Sequence, residues 1–222
     1  MTRIVTYNVH RCVGNDRRLD VPRVAEVLAA LNPDIVALQE LDVGRRRTRQ
    51  VDQAHEIARR LQMACHFHPA FRVEDELYGD ALLTSLPERL VRRGPLPGHD
   101  RIRALEPRGA VSIEVTVDGA PLQVINTHLG LVPSEQQRQA AALAGREWLQ
   151  HPARRDPLIL LGDFNATASS VVSDTESLSI SIPGWLRRKS GGRGGRIAGT
   201  RHFPFLRSST RTQVRRCWTA TP

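Results

Sequence analysis

Leu158-Ile159-Leu160-Leu161-Gly162-Asp163-Phe164-Asn165 is the stretch that decides the reading of this chain. Four apolar residues in a row make a buried strand. The acid and the amide that follow stand two residues apart at its end, where alternate side chains point to one side. Asp163 can accept a proton or hold a water, and Asn165 can donate hydrogen bonds to a phosphoryl oxygen. Three other fragments finish strand-like runs in the same manner: Thr6-Tyr7-Asn8-Val9-His10, Leu38-Gln39-Glu40 and Asn126-Thr127-His128-Leu129. Each ends on a polar side chain able to meet a metal or a phosphate. A lone Asn, Glu or His at such a place is more often a turn former, a solvated acid or a satisfied histidine. It is the combination that carries the chemistry.

Residues 3–9 read as a buried strand and Ile35–Gln39 as a second. Between them lies a helix at Val21–Leu31, with Pro22 in its first turn and Asn32-Pro33 ending it. Asp52–Met63 has helical spacing, with Ala54, Ile57, Ala58 and Leu61 on one face. Strands are predicted at Ala64–His68, Asp80–Thr84, Leu90–Arg93, Ala110–Val117 and Leu122–Thr127, the last two joined by an Asp118-Gly119 hairpin turn. A helix over Pro133–Leu149 precedes the Leu158–Leu161 strand. Strands interleaved with helices, plus a hairpin, predict a mixed α/β sandwich rather than an all-parallel sheet.

The pattern changes after about residue 168. Ser169–Ser181 is Ser-rich with a period-2 run that could form one strand, and residues 187–200 (RRKSGGRGGRIAGT) have almost nothing to bury. Residues 169–222 hold nine arginines and Lys189 against Asp174 and Glu176, so they carry eight of the nine net positive charges of the chain. The basic balance is therefore a property of the tail and not evidence of a nucleic-acid face on the body. The expected organisation is a core domain over residues 1–168 and a basic Ser/Gly/Arg-rich tail over 169–222, poorly ordered, which leaves the C-terminal part of the fold incomplete.

At 222 residues and 40% hydrophobic content the chain can bury a real core. No apolar run approaches the roughly 20 residues that span a bilayer, and polar residues interrupt MTRIVTYNVH, so neither a transmembrane segment nor a signal peptide is expected. Cys12, Cys65 and Cys217 are odd in number and widely spaced, which argues against a disulfide framework or a zinc site and for a reducing, cytoplasmic setting.

In order and spacing the four fragments resemble the endonuclease/exonuclease/phosphatase superfamily (deoxyribonuclease I-like), in the form of a small bacterial member with an aberrant C-terminus. LQELDVGRRRT, VDQAHEIARRL, YGDALLTSLP and EPRGAV add local similarity, and the resemblance covers roughly residues 2–168. It implies a four-layer α/β sandwich, two mixed β-sheets flanked by helices, that hydrolyses phosphate esters with a divalent metal, Mg2+ or alternatively Mn2+. It implies further that Glu40 is the principal metal ligand with Asn8 beside it. His128 would contact the scissile phosphate, Asp163 would orient or deprotonate the attacking water, and Asn165 would hold a phosphoryl oxygen.

Tyr78 is a candidate for stacking or hydrogen bonding to substrate, with plain packing as its other reading. Arg45-Arg46-Arg47, Arg49 and Arg108 are open between substrate contact and a structural role. The expected partner is a phosphate-ester substrate, nucleic acid among the options, with no obligate protein partner. The superfamily also carries a late Asp and a terminal Ser-Asp-His. Here Ser173-Asp174-Thr175 has Thr where the His belongs. That departure sets up the alternative of a catalytically impaired relative that binds phosphate or a partner. A third reading makes the tail an electrostatic tether to nucleic acid or an anionic membrane.

Overall fold

The computed structural model describes residues 2–152 and 157–166, together with the backbone of 218–219. The predicted strand within Ser169–Ser181 and the predicted loose tail lie outside the described residues. No helix among the described residues is long and apolar enough to cross a membrane.

Among the described residues, nine strands and three helices make two sheets between helices. The first sheet has the order β3-β4-β2-β1-β9 and the second β5-β6-β7-β8. In the first, β1 (Arg3–Asn8) runs parallel to β2 (Ile35–Val43), while β4 (Glu76–Thr84) is antiparallel to β2 and to β3 (Ala64–Val73). The two-residue β9 (Trp218–Thr219) pairs antiparallel with Arg3 and Ile4 on the free side of β1. In the second sheet, β5 (Glu88–Pro95), β6 (Gly109–Val117) and β7 (Ala120–His128) are antiparallel neighbours. β8 (Leu158–Asp163) runs parallel to β7. Both sheets are thus mixed, as the alternation of strands and helices predicts.

Period-2 alternation along β2 assigns the layers. Ile35 and Ala37 point between the sheets, where with Ile4 and Leu82 they meet Val111, Ile113, Val115, Val124 and Leu161 of the second sheet. Val36 and Leu38 point the other way, into a cluster with Val24, Leu28, Ala54 and Ile57 from α1 (Val21–Ala30) and α2 (Gln53–Leu61). On the outer face of the second sheet, Ile125 packs with Ala140 and Leu143 of α3 (Pro133–Ala144) and with Trp148. The result is helix, sheet, sheet, helix: four layers. Each fully buried Leu, Ile or Val adds about 1.5–3 kcal/mol of transfer free energy, which makes the three apolar clusters the main stabilising term.

The helix starts follow local chemistry. Asp20 caps α1 by accepting the Arg23 N–H at 2.9 Å, and Asp52 caps α2 by accepting the His55 N–H at 3.0 Å. The two parallel pairs decide where function is placed. Asn8 lies opposite Gln39 at the end of β1–β2, and His128 lies opposite Asp163 at the end of β7–β8. Those two strand ends, one from each sheet, meet at the same edge of the sandwich.

Candidate active site

The edge is stitched together from below by a buried amide pair. The Gln39 side-chain amide donates to Asn126 Oδ1 at 2.7 Å, and Asn126 donates to the carbonyls of Leu38 (2.8 Å) and Ala81 (2.9 Å). Both residues are fully enclosed, and with these partners Asn126 carries no unmet polar group into the interior. One sheet is thereby fixed against the other directly beneath the polar strand ends.

Glu40 owes its direction to a β-bulge. Leu38 pairs with Ala81 and Leu41 with Gly79, so Gln39 and Glu40 together face the single residue Asp80. Glu40 takes the left-handed conformation, φ +62, which turns its side chain out of the pleat and toward β1. The Asp80 carboxylate accepts the displaced Glu40 N–H. Burial, opposed by Arg108, raises Asp80 to about 7.

Around Glu40 the acids and amides converge. The Asn8 amide nitrogen donates to Glu40 Oε1 at 2.8 Å and to Asp163 Oδ2 at 3.0 Å. Its oxygen accepts the His10 N–H at 3.0 Å, so Asn8 meets both carboxylates with its nitrogen. Two carboxylates sharing one amide form a set of hard oxygen donors, the kind that suits a hard divalent cation retaining several waters. Among the described residues no group of three or more His, Cys, Asp or Glu is placed so that it alone could hold a metal ion.

His128, the other pole of the site, is nearly fully buried. Burial and then the Arg108 charge push it down to about 4. Arg108 Nη1 stands 3.0 Å from His128 Nδ1 and also pairs with Glu106 at 2.8 Å. A guanidinium only donates, so Nδ1 accepts and the ring proton sits on Nε2. That proton faces the Asn165 side-chain nitrogen at 3.0 Å, which itself donates to the Leu129 carbonyl at 2.8 Å. The two nitrogens are in direct contact, which brings His128 and Asn165 together at the ends of β7 and β8. The Asn165 N–H in turn is held by Asp163 Oδ1 at 3.0 Å, with Asn165 left-handed at φ +47.

A cavity of about 80 Å³ opens beside Asn8, Asp163 and Asn165, lined also by Thr6, Gln39, Gly162, Phe164 and Ala166. A larger groove of about 560 Å³ lies elsewhere, along Leu19, Val21, Val51 and His55. It holds none of the carboxylates and donors just described.

The structure therefore brings Asn8, Glu40, His128, Asp163 and Asn165 together. Tyr78 stands differently: it is 5% exposed, its ring lies under the Arg47 guanidinium at 5.5 Å, and burial raises its phenol well above the ordinary value. Of the arginine run, Arg47 is bound bidentate to the buried Asp42 (2.8 and 2.7 Å) and Arg45 pairs with Glu76 at 3.4 Å. Arg46 and Arg49 are exposed. Sequence reasoning gave no role to His10 or Asp80, both of which touch Glu40. Asp80 had left a signal, as a charged residue opening the apolar run Ala81-Leu82-Leu83.

Among solved structures, the chain is similar to an endonuclease/exonuclease/phosphatase from Beutenbergia cavernae at 23% identity and a TM-score of 0.62. The match covers 78% of this chain and 49% of that one, so the chain spans about half of its length. It is also similar to the human Nocturnin catalytic domain with bound sulfate (22% identity, 81% and 69% of the two chains, TM-score 0.61). A mannosyl-6-phosphatase from Bacteroides thetaiotaomicron is a third such structure (16%, 78% and 69%, TM-score 0.61). At these identities the likeness shows a shared fold. No curated protein matches the chain. The model of the endonuclease/exonuclease/phosphatase family, however, matches residues 5–210, well past residue 168, and with it this chain belongs to that family.

Proposed function

We propose that this chain is a metal-dependent hydrolase of phosphate esters, a phosphodiesterase or endonuclease that uses water as nucleophile. One observation carries the reading: the Glu40 and Asp163 carboxylates, joined by the Asn8 amide, stand beside His128 and Asn165, so hard oxygen donors suited to a cation adjoin N–H groups suited to a phosphoryl oxygen. A phosphate ester with a divalent cation satisfies both at once. Glu40 would hold the cation, Mg2+ or alternatively Mn2+, with the Asn8 amide nitrogen holding its Oε1; for Asn8 to be a ligand as well, its amide would have to turn its oxygen from the His10 N–H toward the cation. When bound, that ion supplies Lewis-acid polarisation of the phosphate. His128 Nε2–H and the Asn165 amide take the phosphoryl oxygen whose charge grows during reaction, and being fixed in advance they need no reorganisation. His128 does this as a neutral donor, its proton kept on Nε2 by Arg108. Asp163, held by the Asn8 amide and the Asn165 N–H, orients the water and takes its proton. Tyr78 is nearly buried with the Arg47 guanidinium over its ring, which supports packing over direct contact with substrate.

Hydrolysis of a simple phosphodiester and of plasmid DNA, with Mg2+ and then with EDTA, tests this. Turnover should require the metal. It should fall by about 10²-fold or more in Glu40→Ala, Asp163→Ala and His128→Ala, with melting temperatures near wild type. The alternative, a relative that binds phosphate without turning it over, predicts metal-independent binding of the same substrates and no product.

A further inference from the structure

His10, Arg11 and Cys12 are consecutive non-glycine residues in the left-handed conformation, φ 46, 58 and 57. Each costs on the order of 1–2 kcal/mol, so a run of three persists only where the surroundings hold it. Here they do. The Asp20 N–H bonds the Cys12 carbonyl at 2.9 Å and the Val13 N–H bonds the His10 carbonyl at 3.1 Å. The Gln53 side chain, fully buried at the start of α2, donates to the Arg11 carbonyl at 2.7 Å and accepts the Asp42 N–H at 2.9 Å. Gln53 thus ties this turn to β2, the strand that carries Glu40.

The turn aims His10 at the Glu40 carboxylate and places Arg11 behind the ring. His10 Nδ1 stands 3.1 Å from Glu40 Oε2, and Arg11 Nη2 stands 3.0 Å from His10 Nε2. Because arginine only donates, His10 Nε2 accepts and Nδ1–H donates to Glu40. With Asn8 donating to Oε1 at 2.8 Å, both Glu40 oxygens are held. A carboxylate so fixed has little rotamer freedom left to lose, and hydrogen-bond partners of metal ligands commonly set affinity by 10–100-fold.

We propose that His10, backed by Arg11, is a positioning residue that orients the Glu40 carboxylate for a divalent cation. The proposal rests on the phosphate-ester hydrolase reading above. Two substitutions isolate it. His10→Asn keeps an N–H donor at the Nδ1 position and suits a left-handed backbone, whereas His10→Gly suits that backbone and removes the donor.

Calorimetric titration of the full chain with Mn2+ alone, without substrate, reads the effect. His10→Gly should weaken binding about tenfold or more, and His10→Asn should stay within about twofold of wild type. Thermal melts of the same samples check that both fold. Wild-type Mn2+ affinity in a folded His10→Gly, or an equal loss in His10→Asn, overturns the proposal. Glu40→Gln is the companion measurement. If Mn2+ binding survives it, the cation site itself is misplaced and the proposal falls with it. If Glu40→Gln loses binding while His10→Gly does not, only the role of His10 is refuted.

Discussion

His128 and His68 are neutral in the fold for the same reason, and this has a consequence for stability. Each is buried, and burial pushes each down to about 4, with Arg108 acting on the first and Arg93 on the second. In the unfolded chain both regain an ordinary value near 6.5. Between those limits the unfolded state binds two more protons than the fold, so this contribution is lost as pH falls. Asp80 opposes it, being raised by burial to about 7, so the fold keeps a proton that the unfolded chain releases near 3.8. Two protons against one leave one. Asp16, Glu56 and Glu76, held low by hydrogen bonds from Arg23, Arg59 and the Arg46 N–H, titrate below this window. Stability should therefore rise with pH between 4.5 and 6.5 by on the order of 1 kcal/mol per unit. Denaturant midpoints across that range measure the slope. His68→Gln, by removing one of the two protons, should flatten it, and an unchanged slope would show that His68 does not titrate between the two states.

The strand ends hold the candidate site because left-handed backbone re-aims Glu40 within the bulge and Asn165 beyond β8, and such distortions are what the sequence concealed. Glu40 read as the end of a strand, but β2 continues to Val43 through the bulge, since a polar Gln-Glu pair inside an apolar run looks like a terminus. The β3–β4 hairpin turns at Glu74-Asp75 with Glu74 left-handed, and without Gly or Asn there the pattern had no turn signal. The predicted helix to Leu149 ends at Ala144, where Gly145 caps it, and Trp148 is buried by the turn that follows. Asn8, Glu40, His128, Asp163 and Asn165, which the structure brings together, were legible as candidates because each ends or follows a strand-like run. Asp80 and His10 were not, because each acts through the bulge that tertiary pairing creates.

Gly162 offers a test. It sits at φ +144, and a Cβ there would run into the Thr127 carbonyl oxygen of the neighbouring strand. Backbone cannot yield as a side chain does, so Gly162→Ala should destabilise by more than about 2 kcal/mol. Gly119, at φ +80 with open space around it, carries the conformational cost alone, so Gly119→Ala should lose only about 1 kcal/mol. Equal denaturation midpoints for the two variants would mean that the close β7–β8 approach is not what fixes Asp163.

Over the whole molecule, charge and chemistry are separated along the chain. Residues 1–168 are nearly balanced, whereas 169–222 carry eight of the nine net charges. In the proposed reaction the site would meet phosphate through short-range donors, His128 among them at 3% exposed, and contacts of that kind are little screened by salt. A basic segment acts in the opposite way: it attracts any polyanion by releasing counterions, so binding falls steeply as salt rises. Retention of duplex DNA should therefore drop by at least tenfold between about 50 and 200 mM salt. Turnover of a small phosphodiester, which has no second phosphate to reach the tail, should change less than about twofold over the same range. Filter binding and a chromogenic diester assay on one preparation give both curves. If the two fall together, the charge that matters lies at the site and the tail is not the anchor. If only DNA retention falls, affinity for long polyanions and the choice of scissile bond are carried by different parts of this chain.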